Sequence, residues 1–584
     1  MKNKYRLVVL LPLVLLASCK DYLEENNRSA LTSDFYKTTA GLEALVNSCY
    51  TATRNIYYRE VPIQMLESGT DLFAKGNDNK QAGFAGYDVN LNGANAGVRE
   101  MWTLCYKAVE WANTALANLD GTDMDAARKE RLRGEVSFLR ALFNWHIVET
   151  WGKTILRTAP ADTADPEFTA PVKSTEAQFY KRILDDLELA GNALKGIDPK
   201  DGRVSEWAVK AMKARVLLYL ASEYNQEAIG AEQAEENALA AAETAVDVIE
   251  HSGRRLAEDF RQLWSMDNSD GGKNEESVWF VNYTQDLNLT ASWDGDGGNQ
   301  AFCVYTVKYD DQPGLTRSIL YGRPFNRVMV TLRALNLFDR ERDQRYRGSF
   351  RDVWLVNDRK KLEAAQSGSW PKMKAVGDTA IWILPGIATP RQRAWAEGRY
   401  QLLDNLDIYK TDDEEHVPDI YDLKKGIQLN KFQDSTRGAL NEARSARDAI
   451  VFRISELYLI ASEGYWRAGD PVNAVKYMNL LREKRAVPGY AEAMKITASD
   501  LSLDFYLDEN AREFMGEMHR WYDLKRTKKL VEYVNKYNPN VKDDNRDGNG
   551  RGRVQEYHYV RPIPQTQLDA ITNPEAFRQN PGYN

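Results

Sequence analysis

The chain has 584 residues, 43% of them apolar and 28% charged, which is the composition of a globular protein with a large core. Its net charge is −8 and it has no long cluster of lysines and arginines, so the sequence does not indicate a nucleic-acid-binding protein. After Cys19 only three cysteines remain, far apart and without CxxC spacing, which argues against a disulfide framework and a zinc site. Aromatic residues reach 11%, more than a core needs, so some of them are expected near the surface.

Residues 1–19 have the order of a secretory signal: a basic start, an apolar run over residues 7–17 and a small-residue exit. The apolar run is about half of the roughly 20 residues that a membrane-spanning helix needs. The cysteine at the exit resembles that of a bacterial lipobox, which implies cleavage before Cys19 and lipidation of its sulfur and its new amino group. An ordinary signal peptide with an incidental cysteine is the alternative. No later apolar run reaches about 18 residues, so no other membrane span is predicted.

The next part of the chain is predicted to be helical, with one long interruption. Apolar residues at three- and four-residue spacing predict helices over residues 39–57, 99–119, 125–150, 175–194, 205–223 and 235–250. Residues 223–232 are predicted to form a polar connector. Residues 66–96 are rich in Gly, Asn and Asp, a composition that favours turns and loops. Long ordered loops in compact domains are often functional.

The second half mixes irregular segments with one clear helical hairpin. Residues 277–283 and 555–560 are predicted to be strand-like, whereas residues 285–312 and 347–412 are predicted to form loops and a few short strands. Residues 453–485 predict two helices joined by a turn, with Pro471 at the first helical position. Their packing positions partly match a tetratricopeptide repeat, and a generic helical hairpin is the alternative. The predicted fold class is therefore mainly α, with a tetratricopeptide-like helical-repeat scaffold, a loop-rich irregular half and a few short strands.

One hydrophilic segment has the spacing of a calcium-binding loop. Its oxygen-bearing side chains belong to Asp543, Asn545, Asp547 and Asn549. Alternate oxygen donors of this kind form the first part of an EF-hand loop, but Val554 stands where the bidentate glutamate is required. A structural Ca²⁺ here and a hydrophilic turn are the two interpretations, and no other cofactor is predicted.

The sequence contains no recognised catalytic motif. It has neither G-x-S-x-G nor H-E-x-x-H, and its five histidines have no partner at metal-binding spacing. Gly152-Lys153-Thr154 resembles the end of a phosphate loop, but Ile147 stands where the first glycine is required. The charged residues within 513–526 are predicted to lie on one helix face and to form salt bridges. A non-catalytic protein is therefore expected.

Several stretches, taken in order, resemble the motifs of one family. They are Trp102, Tyr106 and Asn113 of a W-x-x-x-Y…N helix; Phe138, Leu139, Arg140 and Ala141 of an F-L-R-A helix; residues 448–463 and 480–486 of a C-terminal helix pair; residues 513–526 of an E-x-x-x-E-x-x-R-W-x-D-L-x-R helix; and residues 561–564, 573–574 and 580–583 of a terminal P-I-P…N-P-x…Q-N-P-G-Y signature. The chain thus resembles the SusD/RagB family of outer-membrane lipoproteins from Bacteroidetes over nearly its full length. Residues 151–153 depart from it, since the family usually has two glycines after the aromatic residue.

This resemblance implies an arrangement along the chain. The signal peptide would cover residues 1–18, the lipidated cysteine and its tether residues 19–38, and a single SusD-like domain residues 39–584. Within that domain the helical scaffold would span about residues 39–265 and 445–530, the ligand-side insertions about residues 66–98 and 266–444, and the C-terminal tail residues 531–584. A lysine and acidic residues directly after Cys19 also resemble the surface-export signal of Bacteroidetes lipoproteins.

The resemblance also implies a role. The protein would be lipid-anchored in the outer membrane, facing the cell exterior, and would cap a TonB-dependent β-barrel transporter that resembles SusC. It would capture an oligosaccharide, or in some members a peptide, for import, without cleaving it. The sequence does not name the glycan.

A sugar-binding surface needs flat aromatic rings beside polar groups that bond the hydroxyls. Both loop-like stretches supply these residue types, and relatives build their ligand face from about these regions. The candidate glycan-binding residues are Asn77, Asp78, Tyr87, Trp102, Trp293, Asp296, Tyr305 and Tyr309. Trp102 lies in a family helix motif, which favours core packing, whereas Trp293 is flanked by Gly and Asp, which favours exposure.

Three other functions stay open at this point. The protein could be a peptide-binding partner of a similar transporter, a secreted enzyme whose motif is not recognisable, or a helical scaffold that binds only a β-barrel. Binding of peptides, release of reducing ends from a polysaccharide, and capture of a barrel without any soluble ligand would identify these three in turn.

Overall fold

The computed structural model describes residues 35–162, 165–284, 286, 289, 298–410, 419–420, 422–541 and 554–583. It confirms the mainly helical fold class. Cys49, Cys105 and Cys303 are buried free thiols, as the absence of paired spacing predicts. Within the described ranges, none of the helices combines the length and the apolar character that crossing a bilayer requires. Cys19 and the segment from Asp543 to Asn549 lie outside the described residues.

The first half of the fold consists mainly of long helices. These helices are α1 (Thr39–Ile56), α2 (Glu60–Glu67), α3 (Ala82–Gly86), α4 (Ala96–Asn118), α5 (Ala126–Trp151), α6 (Pro166–Thr169), α7 (Glu176–Ala193), α8 (Glu206–Ala221), α9 (Glu223–Ile229), α10 (Ala231–His251) and α11 (Phe260–Leu263). Their starts follow from local sequence. The Asp125 carboxylate accepts the Arg128 N–H (2.9 Å), and Thr175 forms a capping box with Gln178.

The middle of the chain is irregular, with short elements. Its helices are α12 (Ala301–Tyr305), α13 (Leu332–Asn336), α14 (Arg345–Ser349), α15 (Arg359–Gln366), α16 (Pro390–Ala396) and α17 (Asn405–Ile408). The strands of the whole chain are β1 (Phe73–Lys75), β2 (Ser277–Val281), β3 (Val328–Val330), β4 (Phe350–Arg351), β5 (Val353–Leu355), β6 (Thr379–Ile383), β7 (Gln401–Leu403), β8 (Tyr409–Lys410), β9 (Asp419–Ile420), β10 (Gln428–Leu429) and β11 (Ala449–Arg453).

The last part returns to helix. Its helices are α18 (Ile454–Arg467), α19 (Pro471–Lys484), α20 (Ala491–Met494), α21 (Leu503–Phe514), α22 (Arg520–Arg526), α23 (Leu530–Tyr537) and α24 (Gln565–Asp569). The predicted hairpin of residues 453–485 is confirmed as α18 and α19, with Pro471 at the first position of α19. The two ends of the chain therefore supply helices, and the irregular segments lie between them in sequence.

The helices from both ends form one continuous stack. α1 packs on α4, α4 on α5, α5 on α7, α7 on α8, α8 on α10, α10 on α18 and α18 on α19. The contact between α10 and α18 is close because Gly464 has no side chain. A Cβ atom added there would lie 2.6 Å from the Ala238 carbonyl oxygen. These pairwise helix contacts join the two helical parts into one scaffold.

Short strand pairs attach the irregular segments to this scaffold. β1 pairs antiparallel with β3, and β2 pairs antiparallel with β11, which leads directly into α18. β4 pairs with β10 and β8 with β9, while β5, β6 and β7 form a three-stranded sheet in which β6 and β7 are parallel. The predicted strand at residues 277–283 is confirmed as β2. The predicted short strands of residues 347–412 are confirmed by β4 to β8, but the same segment also contains the helices α15, α16 and α17, which were not predicted.

Three local predictions are wrong. Residues 223–232 contain α9 and the start of α10. Ser222 in an extended conformation and Gly230 at φ +83° bound α9, a helix of seven residues. Such a helix is too short to show apolar periodicity in the sequence. Residues 555–560 form a 3-10 turn, since the His558 ring accepts the Gln555 N–H (2.9 Å). Residues 513–526 are two helices, not one.

The break inside residues 513–526 has a steric cause. α21 ends at Phe514 and α22 begins at Arg520, with Gly516 at φ +75° between them. A Cβ atom on Gly516 would lie 2.4 Å from Leu429, so the turn packs directly against β10. The predicted salt bridges are nevertheless confirmed. Arg520 binds both oxygens of Asp71 at 2.7 and 2.6 Å, and this buried pair anchors the start of the first loop-like stretch.

Glu67, at the end of α2, is a buried carboxyl group with one unpartnered oxygen. Its Oε1 accepts the Met518 N–H at 2.6 Å, whereas its Oε2 has no partner among the described residues. Burial raises the pKa of Glu67 to about 8, and the Met518 N–H and nearby Lys431 lower it less than burial raises it. The folded state therefore holds this group protonated at neutral pH.

Glu67→Gln is expected to stabilise the protein more at about pH 8 than at about pH 5, by about 3 kcal/mol. A pKa that is raised on folding contributes stability below the unfolded-state pKa, and this contribution is lost as the pH rises through the folded-state value. Glutamine does not ionise, so the variant keeps its stability where the native protein loses it. Urea unfolding of both proteins across this pH range measures the difference. A difference that does not change with pH would contradict a neutral buried Glu67.

Candidate functional site

The structure brings the two predicted ligand-side insertions, about residues 66–98 and 266–444, together. β1 in the first insertion pairs with β3 in the second, with Phe73 opposite Val330. Past the strands, the Gly76 N–H donates to the Arg327 carbonyl (2.9 Å) and the Asp78 N–H to the Asn326 carbonyl (3.1 Å). Residues far apart in sequence therefore share one surface on the irregular side of the fold.

Arg327 joins three segments at this surface. Its Nε donates to Glu60 Oε1 (2.6 Å) and its Nη1 to the Asp78 carbonyl (2.7 Å), and Nη1 also pairs with the Asp78 carboxylate. Lys80 pairs with Asp78 at 2.9 Å. Burial raises the pKa of Asp78, but the hydrogen bonds and charges of Lys80 and Arg327 together outweigh burial, so the net pKa of Asp78 is lowered. This carboxylate is therefore ionised and held in place.

An aromatic ring lies among these charges. The half-buried Phe325 has the Arg327 guanidinium 4.7 Å and the Arg323 guanidinium 5.0 Å from its ring centroid. Arg323 also donates to the Asn441 carbonyl at 2.6 Å. Cation–π contacts of this geometry fix the direction of both guanidinium groups. We name this surface the Asp78 surface and define it by Glu60, Asn77, Asp78, Lys80, Arg323, Phe325 and Arg327.

The end of the second stretch reaches the same place. The Gln300 N–H donates to the Tyr58 carbonyl (2.8 Å), and the Gln300 side chain accepts the Glu60 N–H (3.1 Å). Trp293 and Asp296 lie in the part of this stretch outside the described residues. The chain that carries them thus returns to the fold beside Glu60, at the edge of the Asp78 surface.

The other six candidates divide by exposure. Asn77 and Asp78 are exposed. Tyr87, Trp102, Tyr305 and Tyr309 are buried, with 3%, 5%, 2% and 2% of their surface exposed. These four rings have a packing role and offer no open face to a saccharide in this structure. We therefore do not include them in the Asp78 surface.

Specific contacts hold these buried rings inside the fold. Tyr87 packs against His558 with 5.0 Å between ring centroids, and Trp102 packs against Trp151, also at 5.0 Å. The Tyr305 hydroxyl donates to the Gly516 carbonyl at 2.9 Å, and the Tyr309 hydroxyl to the Gly322 carbonyl at 2.7 Å. The expectation that Trp102 belongs to the core is confirmed by its burial.

The candidate residues chosen from the sequence did not include five members of the Asp78 surface: Glu60, Lys80, Arg323, Phe325 and Arg327. The last three residues lie in a run of alternating basic and aromatic residues just beyond the second loop-like stretch, residues 285–312, and this run was the sequence signal that could have identified them. Glu60 gives no such signal, since it is one of many carboxylates at helix starts.

A second exposed aromatic residue lies elsewhere in the loop-rich half. Trp395 on α16 is 62% exposed, and the Arg399 guanidinium lies 4.2 Å from its ring centroid. Trp382 and Tyr400, both half-buried, lie 6.3 Å apart. Trp395 is therefore the alternative stacking position against which the Asp78 surface has to be tested.

Histidine, cysteine and carboxylate side chains are the groups of the described residues that could hold a metal ion. In the ranges that the structure covers, no three His, Cys, Asp or Glu side chains are grouped to hold a metal ion. His146 lies between the hydroxyls of Tyr57 (3.0 Å) and Tyr522 (3.1 Å), and burial lowers its pKa to about 3. This histidine is therefore a neutral packing residue.

Comparison with known proteins gives matches along both halves of the chain. A family model described as "SusD family" matches residues 275–583, and one described as "Starch-binding associating with outer membrane" matches residues 21–218. "SusD-like protein P25" from Formosa agariphila is 22% identical over 97% of both chains. "Starch-binding protein SusD" from Bacteroides thetaiotaomicron is 23% identical over 82% of this chain and 80% of its own.

Solved structures show the same fold. A "Laminarin binding SusD-like protein" matches 94% of this chain and 100% of its own at 21% identity, with a TM-score of 0.65. Surface glycan-binding protein A from Bacteroides thetaiotaomicron, in complex with laminarihexaose, matches 93% of this chain and 99% of its own at 18% identity, with a TM-score of 0.64. Because the first family model alone matches more than half of the chain, this protein belongs to the SusD family.

Proposed function

We propose that this protein is a non-catalytic glycan-binding protein that captures an oligosaccharide and delivers it to a TonB-dependent, SusC-like transporter for import. Membership of the SusD family supports the first part, since similar proteins are described as binding starch, laminarin and laminarihexaose. Delivery to the transporter rests on the resemblance of the chain to that family.

The observation that carries the proposal is that the two predicted ligand-side insertions, about residues 66–98 and 266–444, meet at the Asp78 surface. Sugar hydroxyls are both donors and acceptors, so a site for them needs fixed groups of both kinds. The Asp78 and Glu60 carboxylates accept, and Arg323 and Lys80 donate. Arg327 bonds the two carboxylates, which holds this pattern rigid before a ligand arrives.

The cellular setting follows from residues outside the described ranges. We propose that Cys19 carries the lipid anchor and that the domain of residues 39–584 faces the cell exterior from the outer membrane. The family model whose description includes association with the outer membrane supports the location. A tethered binding protein acts by raising the local concentration of ligand beside its transporter. Asp543, Asn545, Asp547 and Asn549 stay a proposed calcium site.

Asn77→Ala and Arg323→Gln are each expected to weaken saccharide binding by about tenfold, since each removes one hydrogen-bonding group from a partly desolvated surface. Isothermal titration of the mature protein against neutral and acidic oligosaccharides and against peptides measures the affinities. Trp395→Ala is the matched control, because Trp395 is exposed and outside the Asp78 surface. The melting temperature is expected to stay unchanged in all three variants.

Each outcome of this experiment is informative. A loss of affinity in Trp395→Ala, with native affinity in Asn77→Ala and Arg323→Gln, would place the ligand at α16 and reject the Asp78 surface. Binding of peptides without any response to a glycan would select the peptide-binding alternative. Release of reducing ends from a polysaccharide would reject the non-catalytic role.

A further inference from the structure

An open cavity lies away from the Asp78 surface. It has a volume of about 900 Å³ and is open on one side. Residues 259–267, at the end of the first helical part, form one wall, and residues 346–353 and 430–435 form the others. This volume is within the range of small-molecule sites, about 300–1,000 Å³. The cavity thus lies where the helical scaffold and the loop-rich half meet.

Four arginines line this cavity: Arg261, Arg340, Arg347 and Arg351. We name the cavity the arginine cleft. Arg261 and Arg347 are exposed, and their guanidinium groups have no hydrogen-bond or ion-pair partner in the described chain. Arg351 is half-buried and donates to Asn430 Oδ1 (2.9 Å), while Arg340 donates to the Leu335 carbonyl (3.3 Å). None of the four pairs with a carboxylate among the described residues.

This lack of pairing differs from what buried arginines of the scaffold do. Arg140 pairs with Asp186 at 2.7 Å, and Arg215 pairs with Glu456 at 2.6 Å. In the arginine cleft, burial lowers the pKa of Arg351, and the charge of Arg261 lowers it further. The charge of Arg261 therefore acts unfavourably on Arg351, whereas the nearby Asp352 acts in the opposite direction without forming an ion pair with it.

The carboxylates in the cleft do not neutralise these arginines. Asp259 is used as a helix cap, accepting the backbone N–H groups of Arg261 (2.8 Å) and Gln262 (3.1 Å). Burial raises the pKa of Asp352 more than the charges of Arg340 and Arg351 lower it, and this carboxyl group forms no ion pair with either arginine. Asp267 is exposed and forms no ion pair in the described chain. Lys431, by contrast, is neutralised by Glu517 at 2.6 Å, so it adds little net charge.

The walls of the cleft also hold buried polar atoms without a partner in the described chain. They are Trp264 Nε1, Ser265 Oγ, Arg340 Nε, Tyr346 Oη and Gln433 Oε1. Trp264 and Tyr346 are only 6% and 5% exposed, so these polar atoms have little access to bulk water. Each of these atoms has almost no accessible surface, so they lie behind the exposed wall, and the exposed guanidinium groups of Arg261 and Arg347 are the cationic groups open to a ligand.

We propose that the arginine cleft is a second saccharide-binding site, which selects acidic sugars through a carboxylate or a sulfate ester. A guanidinium group bonds either anion through two parallel N–H donors, which a neutral hydroxyl cannot match. The exposed side chains of Gln262 and Ser435, which also line the cleft, would then meet the sugar hydroxyls. The cleft shares no residue with the Asp78 surface, so this inference does not depend on the function proposed for that surface.

Three saccharides of similar length test the proposal: a galacturonate oligomer with carboxylates, a carrageenan oligomer with sulfate esters, and laminarihexaose without charge. At least one acidic oligomer is expected to bind about tenfold more tightly than laminarihexaose at low salt, and its affinity is expected to fall as salt is added. The acidic oligomer that binds identifies the anion, either a carboxylate or a sulfate ester. Equal affinity for all three, or no binding of either acidic oligomer, would overturn the proposal.

Variants locate the binding. The double variant Arg261→Gln/Arg347→Gln removes two exposed guanidinium groups without partners, so it is expected to fold normally. Its affinity for the acidic oligomer is expected to fall by about tenfold or more. Arg359→Gln, an exposed arginine on α15 outside the cleft, is expected to bind like the native protein. Native affinity in the double variant, combined with loss in Asn77→Ala, would move acidic binding to the Asp78 surface. That result would overturn the second site and leave the proposed function standing.

Discussion

Replacing Arg453 with methionine is expected to lower the free energy of unfolding by about 3–5 kcal/mol, because it leaves buried carboxylates without their main cation. Arg453 is 1% exposed and bonds three of them. Its Nη1 lies 2.8 Å from Glu276 and 2.9 Å from Glu513, and its Nη2 lies 2.9 Å from Glu517. Methionine fills a similar volume, so the loss is electrostatic and not a cavity.

The network around Arg453 connects separate parts of the chain. Arg485 on the α19 side bonds Glu276 (2.7 Å) and Glu513 (2.8 Å), so the same carboxylates serve two arginines. These residues lie in or next to β2, β11, α19 and α21, and they hold the hairpin, the strand pair and the C-terminal helices together. A single substitution therefore affects contacts between the halves of the scaffold, not one local pair.

Unfolding in guanidinium chloride measures this loss of free energy, with equal m-values expected for the native protein and Arg453→Met. Arg578→Met is the matched control, since Arg578 and Glu575 form an exposed pair that is worth about 1 kcal/mol or less. Burial raises the pKa of Glu513, but Arg485 and Arg453 outweigh burial, so its net pKa is well below the usual range. A lowered carboxyl pKa contributes stability above the unfolded-state pKa, and this is lost as the pH falls. The deficit of Arg453→Met is therefore expected to shrink below about pH 4. A deficit under about 1 kcal/mol at neutral pH would contradict the network.

The helices could be predicted from the sequence because their signals are local. α5 shows a cap at Asp125 and a long apolar run, and α18 and α19 are separated by a proline at a helix start. Local signals fail where a distant contact decides. Gly516 interrupts the predicted helix of residues 513–526 because the turn has to fit against Leu429, nearly a hundred positions earlier.

The site was less predictable than the fold, for the same reason. Composition indicated the two stretches that meet, but exposure of a single ring is a tertiary property. Tyr305 and Tyr309 stand beside Gly- and Asp-rich sequence and are nevertheless buried. Conversely, Arg327 gains its role from Glu60 and Asp78, which precede it by 267 and 249 positions. No spacing rule relates residues at such separations, and only the pairing of β1 with β3 brings them together.

Arg327→Met is expected to weaken saccharide binding by about tenfold or more while the melting temperature falls by about 2 °C or less. Arg327 bonds Glu60 in one direction and Asp78 in the other, so its removal frees residues 76–80 without opening the core. Arg327→Lys is the informative companion, because one ammonium group does not reproduce the planar fork that serves both carboxylates. It is expected to bind more weakly than the native protein and more tightly than Arg327→Met.

Limited proteolysis separates this positioning effect from a general loss of stability. Lys80 is exposed and follows directly on the segment that Arg327 holds, so trypsin cleavage after Lys80 reports the local opening of that segment. Cleavage is expected to accelerate in Arg327→Met and to stay at the native rate in Arg359→Met. Faster cleavage with native affinity would mean that residues 76–80 do not contact the ligand. Native cleavage and native affinity together would show that Arg327 does not order the surface. Faster cleavage together with weaker binding is the expected result. It would mean that the carboxylates of Asp78 and Glu60 act on the ligand from the positions in which Arg327 holds them.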